Sequence, residues 1–247
     1  MIVTYATVNY IRWWDLLFSS CHITNPKRTI RAYRIGWEND IRRDFSIKDY
    51  EDTYPFVEFI DIPVTNETAE RFTKITNIMT EDPTMPNINY FKTVIIFLET
   101  LRCKDFIYMD ADTLVLKNFD SLFDKFKDYD FICTQRPGKE DRFKLYSGVM
   151  GFSAGAKMIE YAMRAMHICR ETSQDQFSFY KALVDDMKVY SPTNEEHSIN
   201  CNFDAMILSS KKMGFVPGKT KLYTYDEKYN MMKAVFEERF NGCLISH

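Results

Sequence analysis

The chain has 247 residues, 45% hydrophobic and 27% charged, with a formal net charge of −3. This length can bury a core of one or two domains, and the charge argues against a strongly basic nucleic-acid binder that gains affinity by displacing counterions. Glycine is scarce, with 8 residues and no G-x-G-x-x-G or G-x-x-x-x-G-K-[ST] run, so a bound diphosphate would need its neutralising charge from something other than a Gly-rich loop.

Met1 to Val8 predicts a first strand and lacks the basic start of a secretory leader. Trp14, Leu17, Phe18 and Cys21 then recur at i, i+3, i+4 and i+7, the stripe of a packed helix. Thr29 to Trp37 predicts a second strand, and Tyr54 to Ile62 alternates as a third. The polar stretch from Thr65 to Asn89, rich in turn-forming residues, reads as a lid. Phe91, Val94, Ile95, Leu98 and Leu101 mark the apolar face of the next helix.

That helix leads into Phe106-Ile-Tyr-Met-Asp110-Ala-Asp112-Thr-Leu-Val-Leu116, where two carboxylates two residues apart end one apolar run and precede another. In an extended strand, residues i and i+2 share a side, so Asp110 and Asp112 converge while Ala111 faces away. Two hard oxygen donors suit Mg²⁺ or Mn²⁺, which keep positions open for substrate phosphates. The same spacing at Asp128-Tyr-Asp130 lacks β-prone flanks on both sides and reads as a solvated turn.

A short helix is predicted to begin near Asp120, followed by strands at Phe131 to Thr134 and Ser147 to Phe152. Met158, Ile159, Ala162, Met163 and Met166 form another helix face, and a further helix starts near Ser173 with Phe177, Tyr180 and Leu183. Cys243 to His247 reads as a last short strand. Strands alternating with helices imply an α/β sheet with covered faces, and no linker divides it, so one domain is expected. The six cysteines are dispersed without a C-x-x-C pair, which argues against a disulfide framework. No apolar stretch approaches the ~20 residues of a membrane span, so no membrane insertion and a cytoplasm-like compartment are expected.

Asp110-Ala-Asp-Thr-Leu-Val-Leu116, Phe119-Asp-Ser-Leu-Phe123, Tyr146-Ser-Gly-Val-Met150 and Asp175-Gln176 resemble, in order and approximate spacing, the GT-A glycosyltransferases. The pattern is most similar to the group containing glycogenin and bacterial lipopolysaccharide galactosyltransferases. Tyr5-Ala-Thr-Val-Asn-Tyr10 is similar to that group's first strand and nucleotide-contacting loop, and the compact size resembles small viral members of the fold, for which host cytoplasm is the expected location. The resemblance implies a single GT-A domain with a mixed, mostly parallel sheet flanked by helices. Residues 1–118 would form the nucleotide-sugar-binding half and 119–247 the acceptor-side half.

The resemblance also implies roles. Asp110, Asp112 and His247 would hold Mn²⁺ or Mg²⁺. Ala6, Thr7, Asn9, Lys92, Asp110, Ala111, Ser147 and Gly148 would contact the donor, and Asp175 and Gln176 would face the anomeric carbon region. The donor would be a nucleotide sugar, foremost a UDP-sugar, with a glycan or protein acceptor favoured and modified nucleic acid as a further candidate. Plainer readings stand beside these: Lys92 as a solvated helix residue, Ser147-Gly148 as a strand bulge, Asp175 as a carboxylate favoured by a helix N-terminus, and His247 as a simple terminus. Three departures are visible. Tyr146 stands where the family commonly has Asn or Asp, no acidic base contact is evident near Thr7-Val8, and the sequence has no Gly and Lys after His247, so that either Pro217-Gly-Lys219-Thr-Lys221 supplies that lysine or the enzyme manages without it. Competing classes are a nucleotidyltransferase or phosphohydrolase using paired aspartates, and a non-catalytic carbohydrate-binding protein.

Overall fold

The computed structural model describes residues 1–7, 10–37, 47–65, 88–135, 145–190, 199–200 and 225–241. Strand β1 (Ile2–Thr7) is buried at every position, so both of its faces need cover. On one face Ile2 and Ala6 meet α1 (Trp13–Thr24), which buries Trp14, Leu17, Phe18 and Cys21 as its spacing predicts. On the other face Val3 and Tyr5 join Phe91 and Ile95 of α3 (Ile88–Thr100).

Between them run β2 (Ile30–Trp37), α2 (Ile47–Thr53) and β3 (Val57–Val64). The third strand begins later than Tyr54, because the Tyr54 N–H still bonds the Tyr50 carbonyl and its own carbonyl receives Val57 N–H in a turn. After α3 come β4 (Phe106–Met109), β5 (Leu114–Val115), α4 (Asp120–Lys125), β6 (Phe131–Gln135) and β7 (Leu145–Phe152). Then follow α5 (Ala156–Thr172), α6 (Asp175–Ala182), β8 (Val189–Tyr190), β9 (Ile199–Asn200) and α7 (Tyr225–Phe240). The main sheet is ordered β3-β2-β1-β4-β7-β6-β8, and β5 pairs with β9 in a small antiparallel sheet. Four of the six pairings in the main sheet are parallel, so it is the mixed, mostly parallel, helix-flanked sheet expected.

Two helix faces differ from the predicted stripes. In α3 Leu98, and just past its end Leu101, are exposed, whereas Lys92, Thr93 and Glu99 are buried. The rotation is tolerated because the buried charges are paired. Glu99 accepts from Arg31 Nη1 at 2.8 Å and from the Tyr33 hydroxyl, both on β2. In α5 the buried face is Met158, Tyr161, Ala162, Ala165 and Cys169, and Met163 faces outward. The segment from 225 to 240, unrecognised in the sequence, is a helix whose Met232, Val235 and Phe236 pack into the α1 side of the core. Most of the predicted lid and the predicted last strand lie outside the described residues. Cys21, Cys133 and Cys169 are buried free thiols and Cys103 an exposed one, with no disulfide among the described residues. Among those residues, no helix is long and apolar enough to cross a membrane.

Where β7 crosses between β4 and β6, Gly151 faces Ile107 and Ile132. An added Cβ would lie 2.9 Å from Phe126 Cζ and 3.0 Å from Ile132 Cβ. Gly151→Ala is therefore expected to destabilise the fold by about 1–3 kcal/mol through overpacking. Urea unfolding should show a lower midpoint at unchanged slope. An unchanged midpoint would show that the Phe126 ring yields without cost.

Candidate functional site

Strand alternation decides which side chains meet at the end of β4. Phe106 and Tyr108 point to the face covered by α3 and α5, and Ile107 and Met109 to the face covered by α1. Asp110, two residues beyond Tyr108, continues the first of these directions and meets Lys92 of α3. The strand itself stops at Met109. Asp110 N–H donates to the Gly148 carbonyl at 2.8 Å, and its carbonyl accepts from Thr113 N–H at 3.1 Å. A turn, not an extended strand, thus brings Asp110 and Asp112 to the same cleft. Ala111 is also not turned away, for it is buried and lines that cleft.

The cleft has a volume of about 280 Å³ and opens beside the C-terminal ends of β1 and β4. Ala6, Thr7, Lys92, Asp110, Ala111 and Asp112, all singled out from the sequence, line it together with Tyr5, Tyr10 and Asn89. Ser147, Gly148, Asp175 and Gln176 do not line it, but Ser147 and Asp175 bond to its floor through Lys92. Asn9, His247 and the lysines at 219 and 221 lie outside the described residues.

Lys92 is the hub. Its Nζ lies 2.6 Å from Asp175 Oδ2, 2.9 Å from Asp110 Oδ1 and 3.5 Å from Ser147 Oγ, and its side chain is only 6% exposed. It is thus not the solvated helix residue of the plainer reading. Ser147 Oγ in turn donates to Asp175 Oδ2 at 2.8 Å. Ser147 reaches this position through an irregularity in β7, whose pairing with β6 jumps from Met150 to Tyr146. The bulge and the polar contact are one feature. Gly148 gives room beside it, since a Cβ there would run into the Tyr146 ring.

Electrostatics follow from this geometry. Burial works against the Lys92 ammonium, yet the Asp110 and Asp175 carboxylates overcome it and hold its pKa well above the ordinary lysine value. Burial would also raise Asp175, but Lys92 and then Ser147 outweigh it and leave its carboxyl below the usual range. For Asp110, burial wins with help from neighbouring Asp112, and the carboxyl is shifted upward despite Lys92 and the Tyr108 hydroxyl. Burial raises Tyr108 well above the ordinary phenol value, so it remains a donor.

Lys92 contacts the Asp110 and Asp175 carboxylates, and Asp112 sets a third carboxylate beside Asp110 on the cleft, an anionic corner suited to a divalent ion such as Mg²⁺ or Mn²⁺. The donor set fits such an ion: Asp110 and Asp112 offer hard oxygens on an open cleft, leaving further positions to phosphate and water. Among the described residues no group of three or more His, Cys, Asp or Glu side chains forms a closed metal cage.

The sequence reading missed Tyr5, Tyr10, Asn89 and Tyr108. Tyr108 was legible, because a residue two before Asp110 on a strand must share its face. Asn89 belongs to α3 one turn before Lys92, and its amide donates to the Ser173 carbonyl at 3.1 Å, tying the helix to the segment before Asp175.

Comparison with protein-family models finds no match, and none is found among curated protein sequences. Solved structures do resemble the chain. The galactosyltransferase LgtC, in complex with donor and acceptor sugar analogs, aligns over 100% of this chain and 96% of its own, with a TM-score of 0.55 at 15% identity. An active-site mutant of LgtC aligns over the same shares with a TM-score of 0.57. The bifunctional glycosyltransferase WbbM aligns over 98% of this chain and 51% of its own, with a TM-score of 0.54 at 13% identity. At such identities the likeness establishes the fold, and the fold is GT-A, as the resemblance implied.

Proposed function

We propose that this protein is a metal-dependent glycosyltransferase that moves one sugar from a nucleotide-sugar donor, first of all a UDP-sugar, to a hydroxyl of a glycan or protein acceptor, with retention at the anomeric carbon. The observation that carries the reading is the juxtaposition of Asp110, Asp112 and Lys92 on one cleft at the strand ends of a GT-A sheet. The solved complex of LgtC with donor and acceptor sugar analogs supports the substrate class.

Breaking the glycosidic C–O bond leaves negative charge on the departing diphosphate and positive charge on the sugar. Asp110 and Asp112 would hold Mn²⁺ or Mg²⁺, which when bound stabilises a departing phosphate as a Lewis acid. Lys92 holds Asp175 as a carboxylate and fixes Asp110 in place before any substrate arrives, so the site needs little reorganisation. Tyr10, Thr7 and Asn89 line the same cleft and add an aromatic surface and neutral polar groups suited to a nucleoside.

Asp175 is paired twice through Oδ2 and held as a stable carboxylate. That weakens it as a covalent nucleophile and suits it to steadying positive charge. Retention then follows if the leaving phosphate oxygen accepts the acceptor's proton on the same face, which requires no separate general base. Gln176, half-buried in the first turn of α6, is the neighbouring candidate at the sugar.

A panel of nucleotide sugars, tested for thermal stabilisation and donor hydrolysis with and without Mn²⁺, examines this directly. Expected is stabilisation by at least one donor that disappears with EDTA, accompanied by slow release of free sugar. No stabilisation and no hydrolysis across the panel would favour a carbohydrate-binding protein that keeps the fold without turnover.

A further inference from the structure

We infer that Tyr108 is a positioning residue for Asp110: its hydroxyl fixes one carboxylate oxygen so that the other is presented to the divalent ion. The role rests on the reading of Asp110 as an ion ligand given above. The Tyr108 side chain is fully buried, and its hydroxyl donates to Asp110 Oδ1 at 2.7 Å. Its ring is held in turn, stacked on Tyr5 with centroids 6.3 Å apart and with Lys92 Nζ 5.4 Å from its centre.

Lys92 Nζ makes its 2.9 Å contact with the same Oδ1. The backbone of Asp110 is fixed on both sides, by Gly148 and by Thr113. Side-chain rotation about χ1 and χ2 is the freedom that remains, and two donors on Oδ1 restrict it. Oδ2 is then the oxygen left to face the cleft. Lys92 alone would not define this geometry, because an ammonium on a flexible stem is a point charge without strong directional demand. A phenol held by its ring supplies that direction. Partners of this kind behind a metal ligand typically contribute roughly 10–100-fold in ion affinity.

Mn²⁺ titrations of the full chain followed by electron paramagnetic resonance, with Mn²⁺ alone and with UDP present, test the role in wild type, Tyr108→Phe, Asp110→Asn and the double variant. Tyr108→Phe is expected to weaken Mn²⁺ binding roughly 10–100-fold with an unchanged melting temperature. The same substitution in the Asp110→Asn background should leave the residual binding unmoved. Equal Mn²⁺ affinity in wild type and Tyr108→Phe overturns the positioning role while leaving the ion site standing. Equal weakening in both backgrounds, or a lowered melting temperature in both, shows a general structural effect and also overturns it. Absence of Mn²⁺ binding by the wild type in either condition removes the ion site, and the positioning role with it.

Discussion

Lys92→Met is expected to lower stability by about 3 kcal/mol and to abolish nearly all turnover. Methionine keeps the length of the side chain and most of its packing, so the loss reports the charge. Removing one partner of a buried ion pair typically costs about 3–5 kcal/mol, because the remaining charge is stranded in a poorly solvated place. Asp175 is 14% exposed and would be stranded, while Asp110 at 26% can recover some hydration, which places the expectation at the low end. The pH dependence has a definite sign. In the wild type Asp175 is held below its ordinary value, so its contribution is present above the ordinary carboxylate range and fades as pH falls through the lowered value. Without the ammonium, burial pushes Asp175 upward against only the hydrogen bonds from Ser147 and the Gln176 backbone, so its ionised form stabilises the fold far less at neutral pH. The gap between wild type and variant should be widest near pH 7, narrow as pH falls through the ordinary carboxylate range, and close only below the lowered Asp175 value. Urea unfolding at several pH values measures this. A variant as stable as wild type at neutral pH would show that the Lys92 cluster is neutralised by other groups.

How far the sequence revealed this site follows from the range of each signal. The carboxylate pair and its strand were legible because every contributing residue lies within eleven positions, from Phe106 to Leu116. The helix-covered α/β sheet was legible as a class, though not its strand order, since alternating apolar runs and helical stripes leave few other architectures. The orientation of α3 was not. Its apolar stripe pointed Leu98 and Leu101 inward, and nothing within the helix indicates that Lys92 and Glu99 are the buried residues. Their partners, Asp110, Asp175 and Ser147 for one and Arg31 and Tyr33 for the other, are brought to them only by the tertiary fold. Paired charges reverse the usual cost of burial, and pairing over distances of 18 to 83 residues leaves no periodic trace. The turn at Asp110 had a similar fate. An apolar run on both sides suggested continuous strand, but a bond from Thr113 N–H to the Asp110 carbonyl interrupts it.

Asp112→Asn separates ion chemistry from charge balance. Asp112 is partly exposed on the cleft, and its charge disfavours ionised Asp110. Replacing it with the isosteric amide removes a like charge and keeps the volume, so the melting temperature should stay within about 2 °C of wild type, consistent with a change well under 1 kcal/mol. Turnover should nonetheless fall by at least about 10²–10³-fold, the scale of losing one preorganised group that stabilises charge in a transition state. An amide oxygen carries no net charge and holds Mn²⁺ or Mg²⁺ poorly beside a single remaining carboxylate. Excess Mn²⁺ should recover part of the lost rate if weakened ion binding is the cause, and the apparent Mn²⁺ requirement should rise. The contrast with Lys92→Met then becomes decisive. A stable but inactive Asp112→Asn and an unstable, inactive Lys92→Met together assign Asp112 to the ion and Lys92 to the preformed charge network. Full activity in Asp112→Asn would mean that the diphosphate is neutralised without this carboxylate, and the proposed ion site would have to be abandoned.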